Sequence, residues 1–127
     1  MAINAISVQT IHTCFAKSYN ACLFRIYTSM ALKDDLLAGE SYFIVEIKSL
    51  KRILDNINND IPCLCIIDEV LRGTNTIERI SASSEILYRL SKENCLCFAA
   101  TQDIELASIL DGFSKTSTLQ KKLMIMI

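Results

Sequence analysis

The sequence predicts an α/β fold in which helices alternate with short strands of a buried, parallel sheet. Two apolar runs favour this fold, residues 63–67 ("CLCII") and the stretch within 94–101 ("NCLCFAAT"). Continuous apolar runs of this length are typical of strands that are covered on both faces. Around them, apolar residues recur every three or four positions, which is the pattern of helices that pack on a sheet by one side.

The first half of the chain supplies two helices and one strand. Residues 2–12 ("AINAISVQTIH") are predicted to be helical, and residues 21–28 ("ACLFRIYT") indicate a strand because β-branched and aromatic side chains are frequent. Residues 30–41 ("MALKDDLLAGES") are typical of a loop. The next helix has apolar residues at helical spacing, and "NINNDIP" at 56–62 ends it. Its apolar stripe is Phe43, Ile47, Leu50, Leu54 and Ile57.

The second half continues the alternation after the strand at 63–67. Asn75 and Glu78 have the spacing of a capping box and predict the start of a helix. This helix directs Ile80, Leu87 and Leu90 to the core, and "SASS" at 81–84 indicates a face of small residues in a packed helix. After the strand within 94–101, "DIELASIL" predicts a helix with acidic residues in its first turn.

Length and charge bound the class of protein. The chain has 127 residues, of which 51% are hydrophobic, and this is enough for one domain with a core. The net charge of −1 gives no global basicity for nucleic-acid binding. The N-terminal "MAINAISVQTIHTC" has no basic leader, and no apolar stretch is long enough for a membrane span. We therefore expect a cytoplasmic protein with no membrane contact.

Two Cys-x-Cys pairs, at 63/65 and 95/97, invite either a zinc site or core packing. Alternate residues of a strand share one face, and free cysteine is among the most buried residue types. Zinc sites of this kind prefer two or more residues between ligands, on turns. Core packing is therefore predicted. His12 stands without a second histidine, which favours a surface position over metal or triad chemistry.

Two adjacent carboxylates, Asp68 and Glu69, follow the predicted strand at 63–67. Like charges at the end of a buried segment cost free energy unless a cation lies there. Thr101 and Gln102 end the next strand, and ligands of α/β sheets bind beyond the carboxyl ends of strands. The pattern predicts a site at this edge. From the acidic pair alone, a strand that ends in a solvated acidic turn is the favoured interpretation.

Longer strings give a more specific indication. "IIDEVLRGTNT" followed by a helix, and "CFAATQDIEL" after the next strand, resemble the ATPase domain of the MutS family of DNA mismatch-repair proteins, in its MutS-related bacterial branch. "DDLLAGESYFIVEI" resembles the signature segment of that family, and "INAISVQTIHT" resembles the helix after its phosphate-binding loop. The resemblance runs from about Ile3 to Leu110. It implies a P-loop NTPase fold of the ABC/MutS type, a three-layer sandwich with a mainly parallel sheet, incomplete at the N-terminus.

The same resemblance implies roles for particular residues. Asp68 would associate with Mg²⁺ and Glu69 would be the hydrolytic carboxylate. Gly39 and Ser41 would lie at a helix N-terminus that is offered to the γ-phosphate of the opposite subunit's ATP. The loop that crosses to a partner subunit would comprise Arg72, Gly73, Thr74 and Asn75.

The chain departs from the family pattern at three places. No G-x-x-x-x-G-K-[ST] occurs in the 127 residues, so a chain truncated after the Walker A loop is expected. Gln102 stands where the family usually has a histidine that is thought to sense the γ-phosphate, and an amide cannot carry a proton. Residues 113–127 resemble no closing strands of the ATPase sheet. We therefore divide the chain into a partial ATPase domain, 1–112, and an atypical C-terminal tail, 113–127. This tail is interpreted either as the product of a shifted or interrupted reading frame or as a frayed polar tail with an apolar end.

The resemblance implies a fragment of a MutS-like, ATP-dependent DNA-binding and mismatch-repair ATPase with ATP and Mg²⁺ as cofactors. Such a protein would form a homodimer through the ATPase face and contact DNA through other domains. The alternative is a non-catalytic remnant or interaction module that completes a partner's ATP site in trans, so enzymatic activity of this chain stays open. A third hypothesis is an unrelated Mg²⁺-dependent phosphotransfer domain of the α/β class.

Overall fold

The computed structural model describes residues 2–30, 42–57, 60–111, 115–119 and 122–126. The elements in chain order are α1 (Ala2–Ile11), β1 (Arg25–Ser29), α2 (Tyr42–Asn56), β2 (Cys63–Asp68), α3 (Thr76–Lys92), β3 (Cys95–Thr101), α4 (Ile104–Ile109), β4 (Lys115–Leu119) and β5 (Lys122–Met126). The predicted alternation of helices and strands is confirmed. No helix in these ranges combines the length and apolar character that crossing a bilayer requires.

The five strands form one mixed sheet in the order β1-β2-β3-β5-β4. Strands β1, β2 and β3 are parallel, whereas β5 runs antiparallel to both β3 and β4. The interpretation of the C-terminal segment as a frayed tail is wrong for residues 115–119 and 122–126, which form a hairpin. Strand β3 would otherwise present unpaired N–H and C=O groups along one edge, and pairing with β5 satisfies them. The domain boundary at 112 stays a prediction.

The main apolar core lies where α2, α3 and α4 cover one face of the sheet. It is a cluster of buried residues: Leu50, Ile53, Cys65, Ile67, Val70, Leu71, Leu87, Leu90, Cys97, Ala99, Leu106, Leu110 and Ile125. The prediction that Leu87 and Leu90 face the core is confirmed, whereas Ile80 is only partly buried. Leu64, on the other face of β2, is also fully buried, as is Ala5 of α1, and both lie outside this cluster.

The stripe predicted for α2 is wrong at one position, Ile47. Of its other members, Leu50 lies in the core cluster, and three pack against that cluster: Phe43, Leu54 and Ile57. Ile47 keeps 38% of its surface exposed, whereas only 6% of the surface of the neighbouring Glu46 is exposed. The three buried residues of this helix are Glu46, Leu50 and Ile53. A carboxyl group therefore occupies a position that the apolar pattern assigns to a hydrocarbon side chain.

The cysteine pairs lie side by side in the sheet. Parallel pairing brings Cys63 next to Cys95 and Cys65 next to Cys97, so the four side chains share one face. Cys63, Cys65 and Cys97 are fully buried and Cys95 is partly buried, which confirms the prediction of core packing. Hydrogen bonding with Cys65 and burial raise the pKa of the Cys95 thiol.

This packing predicts a strong difference in thiol reactivity. Iodoacetamide should alkylate the exposed Cys22 within the first time points, because the nucleophile is a thiolate in contact with solvent. It should alkylate the buried Cys63 and Cys97 only when the chain unfolds locally or globally. Mass spectrometry of digested samples, taken over time with and without denaturant, measures each site. Similar native rates at Cys22 and Cys97 would contradict the described core, and protection that depends on added Zn²⁺ would favour the zinc alternative.

Candidate functional site

The predicted edge is formed by the carboxyl ends of β2 and β3. Asp68, the last residue of β2, lies in register with Ala100. The backbone N–H of Glu69 donates to the carbonyl of Ala100 at 2.9 Å, so the pairing extends one residue beyond β2. Glu69 and Gln102 consequently leave two neighbouring strands at the same edge. The structure thus brings together the residues that the sequence placed at the two strand ends.

The backbone at Glu69 turns sharply. Glu69 has φ 59° and Leu71 has φ 56°, in the left-handed region that costs a non-glycine residue about 1 kcal/mol. Such strained positions concentrate at functional sites. The turn directs the Glu69 side chain along the sheet edge. Its Oε1 accepts a hydrogen bond from Gln102 Nε2 at 2.5 Å, and its Oε2 lies 2.6 Å from Arg72 Nε.

A polar cavity of about 190 Å³ opens beside this carboxylate. Its lining residues are Glu69, Arg72, Arg79, Thr101, Gln102 and Asp103. Two of these lining residues, Arg79 and Asp103, form a bidentate ion pair. The distances from Nε to Oδ2 and from Nη2 to Oδ1 are both 2.7 Å. The hydrogen bonds from Arg79 lower the pKa of the Asp103 carboxyl group. The backbone N–H of Asp103 also donates to Thr101 Oγ1 at 3.1 Å.

This ion pair was not predicted from the sequence. Arg79 lies on α3 and Asp103 precedes α4, 24 positions later in the chain. The sequence indicated Asp103 only as an acidic residue in the first turn of a predicted helix. The structure places it as the N-cap residue of α4 without a side-chain capping bond, because its carboxylate is directed to Arg79.

Thr74 and Asn75 are held at the N-terminus of α3. Asn75 is the N-cap residue, and its Oδ1 accepts from the backbone N–H of Glu78 at 3.0 Å, as the capping pattern predicted. The Glu78 carboxylate accepts from Thr74 Oγ1 at 2.7 Å. Hydrogen bonds from Thr74 and Asn75 lower the pKa of Glu78. The residues just before α3 are therefore held in place by hydrogen bonds among Thr74, Asn75 and Glu78.

Gly73 packs against the first turn of α2. A Cβ atom at Gly73 would lie 2.9 Å from Phe43 Cβ and 3.2 Å from Phe43 Cα, so only glycine permits this approach. The loop after Glu69 is thereby seated on α2. Gly39 and Ser41, which the resemblance assigns to a phosphate contact, lie outside the described residues.

The side chains at this edge include carboxylates and arginines, the residue types that magnesium and phosphate groups respectively favour. Carboxylate oxygens are ligands that Mg²⁺ prefers, and Asp68 would hold it at the end of β2. Among the side chains that the structure describes, no cluster of three or more potential metal ligands occurs. Mg²⁺ commonly keeps water and phosphate oxygens as its other ligands. A cavity of about 190 Å³ is smaller than the ~300–1,000 Å³ of most small-molecule pockets, so it is too small to enclose a whole nucleotide.

Comparisons with known proteins assign the family. The sequence model of the protein family described as MutS domain V matches residues 6–125. The DNA mismatch repair protein MutS of Fervidobacterium nodosum is 32% identical over 123 residues, covering 92% of this chain and 14% of the relative. The protein of the same name from Thermotoga maritima is 38% identical over 89 residues, which cover 70% of this chain and 11% of that protein. The protein of that name from Psychrobacter cryohalolentis is 31% identical over 102 residues, which cover 80% of this chain and 10% of that protein. The chain thus spans about a seventh or less of these relatives, and it belongs to the MutS family.

Proposed function

We propose that this chain is the ATPase segment of a MutS-like mismatch-repair protein and takes part in binding and hydrolysing Mg-ATP. The observation that supports this most directly is the hydrogen bond between Gln102 and Glu69 beside a small polar cavity. Family membership supports the same assignment. The proposed fold is of the P-loop NTPase type, for which the parallel strands β1, β2 and β3 with Asp68 at a carboxyl end are the expected framework.

Each residue at the edge then has a distinct task. Mg²⁺, when bound, neutralises charge on the phosphate oxygens, and Asp68 positions it. Glu69 orients and polarises the attacking water. Gln102 donates to the Glu69 carboxylate and holds its direction, but an amide does not transfer a proton. Arg72 is 56% exposed on its side chain, so its ion pair with Glu69 is weak enough to exchange when a ligand or partner arrives.

A second subunit on this edge is part of the proposal. Ile77 and Ile104 are 80% and 67% exposed in the first turns of α3 and α4. These turns carry Arg79 and follow Asp103, two residues that line the cavity. Apolar side chains around a polar site favour a protein contact there. We propose a homodimer through this face, and DNA contact through other parts of the full-length protein.

The alternative is a non-catalytic module that completes a partner's ATP site in trans. It would use the loop Arg72–Asn75, whose end is held at the start of α3 by hydrogen bonds among Thr74, Asn75 and Glu78. In that case the phosphate cradle comes from another chain. This chain would then contribute only Ser41 and the loop from Arg72 to Asn75.

Hydrolysis of Mg-ATP by the purified chain tests the first proposal. Replacing Glu69 with Gln should lower turnover at least about a hundredfold, since it removes the group that activates water. Glu85→Gln, the same change at an exposed position of α3, should leave turnover unchanged. Equal turnover of wild type and Glu69→Gln would contradict the role of Glu69.

A mixing experiment tests the alternative. The chain is added to full-length MutS from Thermotoga maritima, and ATP hydrolysis by the mixture is followed against the amount added. A change in rate that Ser41→Ala or Arg72→Ala abolishes, without turnover by the chain alone, supports action in trans. If the chain neither turns over ATP nor alters the rate of its relative, both proposals fail.

A further inference from the structure

Arg79 and Asp103 line the cavity beside Glu69 but have no task in the proposed hydrolysis. Their ion pair joins two elements, because Arg79 lies on α3 and Asp103 directly precedes α4. The guanidinium donates through both Nε and Nη2, each at 2.7 Å, so the two side chains meet in one orientation. A bidentate pair of this kind fixes geometry as well as adding stability. It therefore determines how the segment before α4 lies against α3.

The segment that this ion pair holds contains Gln102. On one side of Gln102 lies Thr101, the last residue of β3, which is buried. On the other side lies Asp103, whose carboxylate accepts from Arg79 and whose backbone N–H donates to Thr101 Oγ1 at 3.1 Å. The backbone of Gln102 is thus fixed at both of its neighbours. A fixed backbone limits the directions in which the side-chain amide can reach, and this amide donates to Glu69.

Arg79 is itself held in the first turn of α3. Its backbone N–H donates to the carbonyl of Asn75, the N-cap residue of this helix, at 2.9 Å. Residues 70–75 connect that turn back to Glu69. Chain connections and side-chain bonds therefore close a ring around the cavity. The members of the ring, in order, are Glu69, residues 70–75, Arg79, Asp103 and Gln102, which bonds Glu69 again.

We propose that Arg79 and Asp103 are positioning residues, whose ion pair sets how Gln102 donates to the carboxylate that follows β2. The positioning itself needs no nucleotide. Its consequence for turnover rests on the proposed function, in which Glu69 polarises the attacking water. Without the ion pair, Gln102 samples other directions and the carboxylate loses a fixed donor. A pair that served stability alone would leave the bond from Gln102 to Glu69 unchanged.

The side-chain amide of Gln102 gives a test that is independent of ATP. In the wild type, nuclear Overhauser cross-peaks should connect its Nε2 protons to the γ protons of Glu69, because the two groups share a hydrogen bond. Arg79→Met should abolish these cross-peaks. Asp103→Asn should do the same, because an amide cannot accept both guanidinium bonds. Arg89→Met, an exposed change on the same helix, should retain them. Cross-peaks that are missing from the wild type, or kept in both variants, would overturn the proposal.

The same spectra show whether each variant is folded. Backbone amide shifts of β2 and β3 should stay close to the wild-type values, because these strands pair without the ion pair. The double variant of Arg79→Met with Asp103→Asn should give the same Gln102 spectrum as either single variant, since one contact is removed in all three. A different spectrum would mean that the two residues act separately, against the proposal. Where Arg79→Met does not fold, Asp103→Asn decides, because it keeps the size of the side chain.

Turnover of Mg-ATP adds a measurement that rests on the proposed function. Arg79→Met should lower kcat roughly tenfold or more and leave KM unchanged, as a small misplacement of a reacting group predicts. In a Gln102→Ala chain the same change should have no further effect, because Arg79 acts through Gln102. An equal loss in both backgrounds would overturn the proposal. A wild type that does not hydrolyse ATP would contradict the proposed function, and the cross-peaks would still decide on the positioning.

Discussion

Replacing Arg79 with Met is expected to lower the free energy of unfolding by about 1–3 kcal/mol, as the loss of two charge-assisted hydrogen bonds predicts. The side chains of Arg79 and Asp103 are only 24% and 13% exposed, so water replaces the lost partner poorly. Methionine retains much of the apolar length of arginine. The change therefore reports mainly on the ion pair, and chemical denaturation followed by circular dichroism measures it.

A double-mutant cycle isolates the pairwise contribution. Asp103→Asn and the double variant are measured beside Arg79→Met, and a coupling free energy of about 1–2 kcal/mol is expected for residues in direct contact. Arg89→Met removes an exposed arginine from the same helix and should change stability by less than about 0.5 kcal/mol. A coupling near zero would show that the two charges act independently.

The dependence on pH has a definite sign. The Arg79 hydrogen bonds lower the pKa of Asp103 in the folded chain from its ordinary 3.8. A depressed acid contributes stability that is present above the unfolded pKa and is lost as the pH falls through the folded pKa. The difference in free energy of unfolding between wild type and Arg79→Met should therefore have its full value at pH 6. It should decrease as the pH falls below 3.8. A difference that grows on acidification would contradict this assignment.

The sequence predicted the strands and the site edge for a clear physical reason. Buried parallel strands are continuous apolar runs, so β2 and β3 could be located without knowledge of their neighbours. Carboxyl ends of parallel strands share one edge, which placed Glu69 near Gln102. The ion pair of Arg79 with Asp103 was not predictable in this way. It depends on the position of α3 over the sheet, and no local spacing encodes that position.

Two further differences have the same origin in contacts distant along the chain. Residues 122–126 were interpreted as a frayed end, yet they pair with β3 because that strand has an edge to satisfy. On α2, periodicity favoured Ile47 for the core, but the neighbouring Glu46 is buried instead. Amphipathic patterns rank side chains by hydrophobicity, and they miss a carboxyl group that other parts of the chain cover.

The second large effect is expected at Ser83, where α3 passes the loop that follows Glu69. Ser83 is fully buried, and its Oγ donates to the carbonyl of Val70 at 3.4 Å. Ser83→Leu adds a side chain for which this contact has no space, and overpacking of a core costs about 1–3 kcal/mol. Ser81→Leu makes the same change at an exposed position two residues earlier and should stay within about 0.5 kcal/mol.

The site should respond along with stability, because Val70 is the residue directly after Glu69. Displacing the Val70 carbonyl strains the left-handed turn at Glu69 and Leu71, and so moves the carboxylate away from Gln102. Denaturation midpoints of the two leucine variants measure the packing term, and amide shifts of Glu69 and Leu71 measure the displacement. Equal midpoints for Ser83→Leu and Ser81→Leu would mean that α3 is not seated on this loop. Unchanged amide shifts with a lowered midpoint would instead confine the effect to the core, and the turn would then be held by the contact of Gly73 with Phe43 rather than by α3.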